Sequence, residues 1–195
     1  TDIDKYHLEW PNIEKSYLAP RCTDPHYIDF LNEIIKREKI DFIHPQPDVE
    51  VEALSEKREL LKAQTFLPSK KTINFCQDKF KSAELWRKAG IITVESVLIK
   101  KGEDIKKAAQ KLGLPFWLRA TRGAGGKGST PVTKIEMAEH WIEYWRLRGK
   151  DWTFVAQEYL PGKDFAFQSL WKDGEIIISQ ARERIEYIYP HLVPS

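Results

Sequence analysis

The sequence predicts a mixed fold, α/β in its first third and α+β beyond, and three observations carry that expectation. Between Pro25 and Ala63 a helical apolar spacing, a short apolar run and a second helical stretch follow through brief links, as α/β crossovers do. Between Thr72 and Gln157 strand-like and helix-like segments alternate. From Phe165 to Ala181 two β-prone runs flank Lys172-Asp173-Gly174, a tight hairpin turn.

Taken in order, Thr1-Asp2-Ile3-Asp4 reads as the end of a strand, and the chain reads as starting within a domain. Tyr27, Ile28, Leu31, Ile34 and Ile35 then recur at helical spacing from Pro25 to Lys39, behind an N-cap at Asp24. Ile40 to His44 reads as a short buried strand stopped by Pro45 and Pro47, and Val49 to Ala63 as a helix. His44 reads as a loop histidine with ordinary hydrogen bonds. Phe66 to Ser69 marks a linker, Thr72 to Phe75 a short strand, and Gln77-Asp78-Lys79 the start of a helix stopped by Gly90. Ile91 to Ile99 is β-branched and alternating, and Glu103 to Leu112 is a helix ending at Gly113. Lys134 to Arg148 buries Ile135, Ala138, Trp141, Ile142 and Trp145 along one helical stripe, a core face rather than a base-stacking surface.

The unusual stretch lies between these helices. Pro115 to Ala120 is an apolar strand, and Gly123, Gly125, Gly126 and Gly128 crowd a loop that also holds Lys127, with Arg119 and Arg122 before it. Glycines let successive backbone N–H groups converge on one anion, so the loop is built for phosphate. Gly123, Gly125 and Gly128 satisfy GxGxxG, yet Ser-Thr-Pro-Val-Thr follows, and Pro131 argues for an edge strand rather than a helix opening. Walker A fails because Lys127 precedes Gly128 rather than Ser or Thr. The remaining arrangement is strand, glycine loop, strand: a hairpin lid. A protein kinase lid would require HRD and DFG motifs, and Asp164-Phe165-Ala166 lacks the glycine.

Composition narrows the partners. The 195 residues hold 31 basic and 29 acidic side chains, a net charge of +2 that points to neither nucleic acid nor a membrane surface. No apolar run approaches bilayer length. Cys22 and Cys76 form neither a disulfide framework nor a metal cluster, so a soluble protein of the reducing cytoplasm is the expectation.

Three segments in order resemble the ATP-grasp superfamily. Pro115-Phe116-Trp117-Leu118-Arg119-Ala120 with its glycine loop is similar to the strand and lid of biotin carboxylase and the carbamoyl-phosphate synthetase large subunit. Phe154 to Asp164 resembles the hinge of those enzymes, and Gln77-Asp78-Lys79 the start of the helix that opens their fold. The resemblance implies a partial Rossmann-like pre-ATP-grasp domain over residues 1–68 and an amino-terminal ATP-grasp lobe over 69–157, with its lid at 121–128. The start of a carboxy-terminal lobe follows over 158–195, truncated, with the last antiparallel pair flooring the nucleotide site.

The same resemblance implies roles for particular residues. Arg119 and Lys79 match the family's phosphate cations, and Lys127 with Gly123, Gly125, Gly126 and Gly128 would close over the phosphates. Glu158, Tyr159 and Leu160 match the segment that recognises adenine. Asp164 matches the acid that accepts from ribose hydroxyls, with one residue fewer than usual after Gly162. The implied reaction activates a carboxylate or bicarbonate with ATP and Mg2+ to an acylphosphate, which a nucleophile then opens. The implied partners are ATP, a small carboxylic acid or bicarbonate, and a second copy in a homodimer. No Glu-x-Asn follows Leu160, and Glu183 and Glu186 stand beside Arg182 and Arg184 as a salt-bridged strand would. Two readings stay open: an incomplete ligase, inactive alone, with metal ligands in further sequence, or a non-catalytic nucleotide-binding module.

Overall fold

The computed structural model describes residues 1–185; Glu186 and the last residues of the expected carboxy-terminal segment lie outside the described residues. The chain divides into two compact units, Thr1–Gln77 and Asp78–Ser195.

In the first unit, helix α1 (Tyr27–Glu38) buries Tyr27, Ile28, Leu31, Ile34 and Ile35, the stripe its spacing predicts. Asp24 accepts from the backbone N–H of His26 at 2.8 Å, and Lys39 ends the helix in the left-handed region at φ 55°. The core closes with Ala19 and Leu54, the latter from α2 (Asp48–Glu56).

Three local expectations need correction here. Ile40–His44 forms a single parallel bridge, Phe42 to Gln64, rather than a buried strand, because Pro45 and Pro47 leave no length for a ladder. His44 and Phe42 instead stack on Phe66, at ring separations of 4.8 and 5.5 Å. The helix expected to reach Ala63 ends at Glu56, and a 3-10 turn, Arg58–Leu60, follows. The Arg58 guanidinium holds that turn to the carbonyls of Leu67 and Pro68. Thr72–Phe75 is helical, within α3 (Lys70–Cys76), since the Ser69 hydroxyl accepts from the Thr72 N–H at 3.2 Å. That cap outweighs the β propensity of Thr, Ile and Phe.

The second unit opens with α4 (Lys79–Lys88), ending before Gly90 at φ +76°. Four antiparallel strands follow: β1 (Ser96–Ile99), β2 (Phe116–Ala120), β3 (Thr130–Val132) and β4 (Phe154–Glu158), in the spatial order β1-β4-β2-β3. Helices α5 (Gly102–Leu112) and α6 (Ile135–Leu147) supply the apolar side chains that cover one sheet face. Phe116, Leu118, Ala120, Phe154 and Ala156 alternate onto that face and are nearly or wholly buried. Residues 91–95 do not join β1; pairing begins at Ser96 opposite Gln157, and Ile92 is fully exposed.

Pro131 sits in β3 at the sheet edge, where its missing N–H costs no ladder bond. Beyond β4, strands β5 (Phe165–Lys172) and β6 (Glu175–Glu183) form a separate two-stranded sheet. Their turn takes Asp173 at φ 52° and Gly174 at φ 85°, the left-handed pair that a two-residue hairpin requires.

Candidate functional site

The alternation of β2 builds the site. Phe116, Leu118 and Ala120 point into the core, so Trp117 and Arg119 emerge on the opposite face, Arg119 paired in register with Val155 and Trp117 with Gln157. Val155 and Gln157 are themselves buried on that face, and the Gln157 amide donates to the Ser96 hydroxyl at 3.1 Å. Arg119 is only half-exposed, and its Nε is buried with no hydrogen-bond partner among the described residues. Burial alone pulls its pKa below the ordinary arginine value, with no counter-charge acting against it. A guanidinium remains charged at neutral pH under such a shift, so the chain holds a desolvated cation with an unused donor.

The lid leaves the end of β2 and returns at β3. Its Gly123, Gly125, Gly126 and Gly128 all have positive φ, between 68° and 101°. No heavy atom outside the chain neighbours would lie within 4 Å of a Cβ on Gly123 or Gly125, so a side chain at either position would meet open space. Gly128 differs: it is buried, and a Cβ there would meet Cζ3 of Trp152 at 3.0 Å and Cβ of Ala120 at 3.1 Å. Lys127, between the open and the packed glycines, is exposed.

Helix α4 is tied to this lid at its first residue. Asp78 caps the helix, its carboxylate accepting from the N–H groups of Phe80 and Lys81 at 3.1 Å each. The Lys79 backbone N–H donates to the Thr121 carbonyl at 2.9 Å, and its ammonium donates to the Gly123 carbonyl at 2.7 Å. A cation at a helix N-terminus opposes the macrodipole, and here that cation is directed off the helix onto the lid.

The hinge residues line up along the far end of the sheet. Glu158 pairs with Phe116, and its N–H donates to the Glu95 carbonyl at 3.0 Å. The Tyr159 ring lies 6.3 Å from that of Trp117, on the sheet face that also carries Arg119. Leu160 is exposed. Asp164 is exposed at the base of the β5–β6 hairpin, its carbonyl accepting from the Arg184 N–H at 2.8 Å.

The structure thus joins Lys79 to Gly123, and carries Arg119 and the hinge on one sheet. It also shows residues that sequence reasoning did not single out: Trp152 under Gly128, Thr153 accepting from the Thr121 N–H at 2.9 Å, and Trp117 beside Tyr159. No local signal marks them, because each acts across strands that are distant in sequence. A cleft of about 690 Å³ opens on the helix-covered face, bordered by Ile105, Ile142, Arg146, Lys150 and Trp152; none of the anticipated nucleotide residues lines it. Among the described residues no group of three or more His, Cys, Asp or Glu side chains could hold a metal ion, and no helix is long and apolar enough to cross a membrane.

With this geometry in place, the likeness to known proteins is specific. Residues 8–66 match the family model of the PylC-like N-terminal domain, and residues 78–147 that of the carbamoyl-phosphate synthase L chain ATP binding domain. The D-alanine–D-alanine ligase of Actinobacillus pleuropneumoniae serotype 5b is 26% identical over 102 residues, 51% of this chain and 32% of the ligase. The carboxyaminoimidazole ribonucleotide synthase of Aspergillus clavatus, solved with ATP, superposes with a TM-score of 0.61 at 21% identity, over 80% of this chain and 41% of that one. The biotin carboxylase domain of Hydrogenobacter thermophilus 2-oxoglutarate carboxylase, solved as a dimer with MgADP, ADP and bicarbonate, gives 0.60 at 22%, over 72% and 33%. The match thus spans about a third of the length of the curated ligase.

The fold is that of an ATP-grasp protein, represented in part. The sequence matches support an ATP-grasp superfamily member, with segment 78–147 matching the carbamoyl-phosphate synthase type of ATP-binding domain.

Proposed function

We propose that this chain is the nucleotide-binding part of an ATP-dependent ligase that activates a small carboxylic acid or bicarbonate as an acylphosphate. The observation that carries the proposal is Arg119, a half-buried guanidinium whose Nε has no partner among the described residues, on the strand that feeds the glycine lid. Leaving such a donor desolvated and unbonded costs roughly 1–3 kcal/mol, a cost that an anion at the site removes.

In this reading Arg119 and Lys127 bind the phosphates and the lid's N–H groups converge on them. Lys79 holds the lid and adds charge. Glu158 and the backbone of Tyr159 and Leu160 hold adenine's edge, and Asp164 takes the ribose hydroxyls. The nucleotide supplies the phosphoryl group that turns a carboxylate into a good electrophile; the chain's own work is positioning and charge neutralisation. Magnesium belongs to the reading through the relatives. The described residues offer it no cluster, so no step is drawn through it. A homodimer and a cytoplasmic setting, as well as the lobe boundaries at 69 and 158, stand as parts of the same proposal.

Calorimetric titration with ATP, with and without Mg2+, tests it. Micromolar binding by the wild-type chain that Arg119→Ala abolishes is the expected result. Equal binding by both proteins removes Arg119 from the site, and no binding by either overturns the reading for this chain.

A further inference from the structure

We infer that Trp152 is a positioning residue for the glycine lid, a clamp on the root at which the loop returns to the sheet. The inference rests on the nucleotide reading above for what the lid covers, and on separate geometry for how the lid is held.

The two ends of the loop meet two adjacent residues, Thr153 at one end and Trp152 at the other. At the outgoing end the Thr121 N–H donates to the Thr153 carbonyl at 2.9 Å. At the returning end Gly128, at φ +78°, lies so close to Trp152 that an added Cβ would stand 3.0 Å from Cζ3 and 3.2 Å from Cε3. A Cβ at this position would be forced against the ring, so the ring can cover this backbone only while the residue is glycine. Between these anchors, a Cβ added to Gly123 or Gly125 would meet nothing within 4 Å. The loop is therefore fixed at its roots, and its arc, where Lys79 also holds the Gly123 carbonyl, has room for side chains at Gly123 and Gly125.

The ring is held in turn. Trp145 of α6 packs on Trp152 with ring centroids 4.7 Å apart, and the Lys150 ammonium stands 6.0 Å from the ring centre. Trp152 also packs against the buried cluster under the sheet. The position of the Gly128 backbone is thereby referred to the α6 core, and Lys127, its neighbour, is presented from a fixed base. Pre-set geometry of this kind lowers the ordering cost when phosphates bind, and adenosine, which has no phosphate, gains nothing from it.

The test compares wild type, Trp152→Phe and Trp152→Ala by amide hydrogen exchange and by titration with ATP and with adenosine. Trp152→Ala is expected to speed exchange at Thr121 and Ser129 about tenfold or more while leaving Val97 and Ala156, paired across β1 and β4, protected. It is also expected to weaken ATP about tenfold with adenosine affinity unchanged. Trp152→Phe keeps a ring under Gly128 and is expected to restore both. Should Trp152→Ala fail to fold, Trp152→Leu replaces it. Unchanged loop exchange with an unchanged ratio of ATP to adenosine affinity in a folded variant overturns the inference, as does equal loss of both ligands. A wild-type chain that binds no ATP overturns the nucleotide reading instead, and the exchange pattern still decides whether Trp152 holds the loop.

Discussion

The ammonium of Lys79 donates to the carbonyl of Gly123 at 2.7 Å, and the backbone N–H of the same lysine donates to Thr121 at 2.9 Å. One residue at the start of α4 thus grips the outgoing arm of the lid twice. Lys79→Met removes the side-chain half of that grip together with a positive charge. Hydrogen bonds to charged groups contribute roughly 1.5–3 kcal/mol, so ATP affinity is expected to fall on the order of tenfold to a hundredfold. Calorimetry reads the loss, and an unchanged affinity would confine Lys79 to a structural role.

Arg119 is expected to separate binding from stability. Its pKa is lowered by burial alone and its Nε has no partner among the described residues, so the folded chain without ligand gains little from the guanidinium. Arg119→Met, of similar length and apolar, should leave the thermal midpoint of the ligand-free chain unchanged or raise it. A fall of several degrees in that midpoint would mean that the arginine is a structural element of the sheet.

The glycines of the lid should respond unequally to a methyl group. Gly128→Ala adds a contact at 3.0 Å to the Trp152 ring to the strain of φ +78°, whereas Gly125→Ala meets open space at φ +68°. The left-handed conformation costs roughly 1–2 kcal/mol in either case, and overpacking adds about 1–3 kcal/mol at Gly128 alone. Urea unfolding of the two variants should therefore rank Gly128→Ala as clearly the less stable. Equal midpoints would show that the ring yields.

In the first unit, Glu38 should give an acid-dependent signature. Hydrogen bonds from Lys15, then Tyr17 and Arg37, hold its carboxyl at about 2, well below the ordinary value. The unfolded chain protonates this carboxyl near pH 4.3. Its contribution is therefore complete above that pH and is lost as pH falls through about 2. Thermal melts of wild type and Glu38→Gln should differ at pH 6 and converge as pH approaches 2. A constant gap would show that the shifted ionisation does not support the fold.

The parts legible in the sequence are those where local chemistry decides structure. Four glycines between two apolar strands, with Pro131 beyond, give a lid hairpin ending on an edge strand; Asp78 and Gly90 bracket α4; and Asp173-Gly174 makes the turn of the last hairpin. The parts not legible depend on a competing local bond or on distant partners. The Ser69 hydroxyl turned Thr72–Phe75 from strand to helix, and residues 91–95 stay out of the sheet although β-branched. The contact between Gly128 and Trp152 joins residues that no periodicity relates.

The most direct measurement is the ratio of ATP to adenosine affinity in wild type and Arg119→Met, obtained by calorimetry at one ionic strength. The account predicts a large preference for ATP in the wild-type chain, carried by phosphate contacts, that collapses in Arg119→Met while adenosine binding persists. A preference that survives the substitution would contradict the assignment of Arg119 as the phosphate-binding cation of this site.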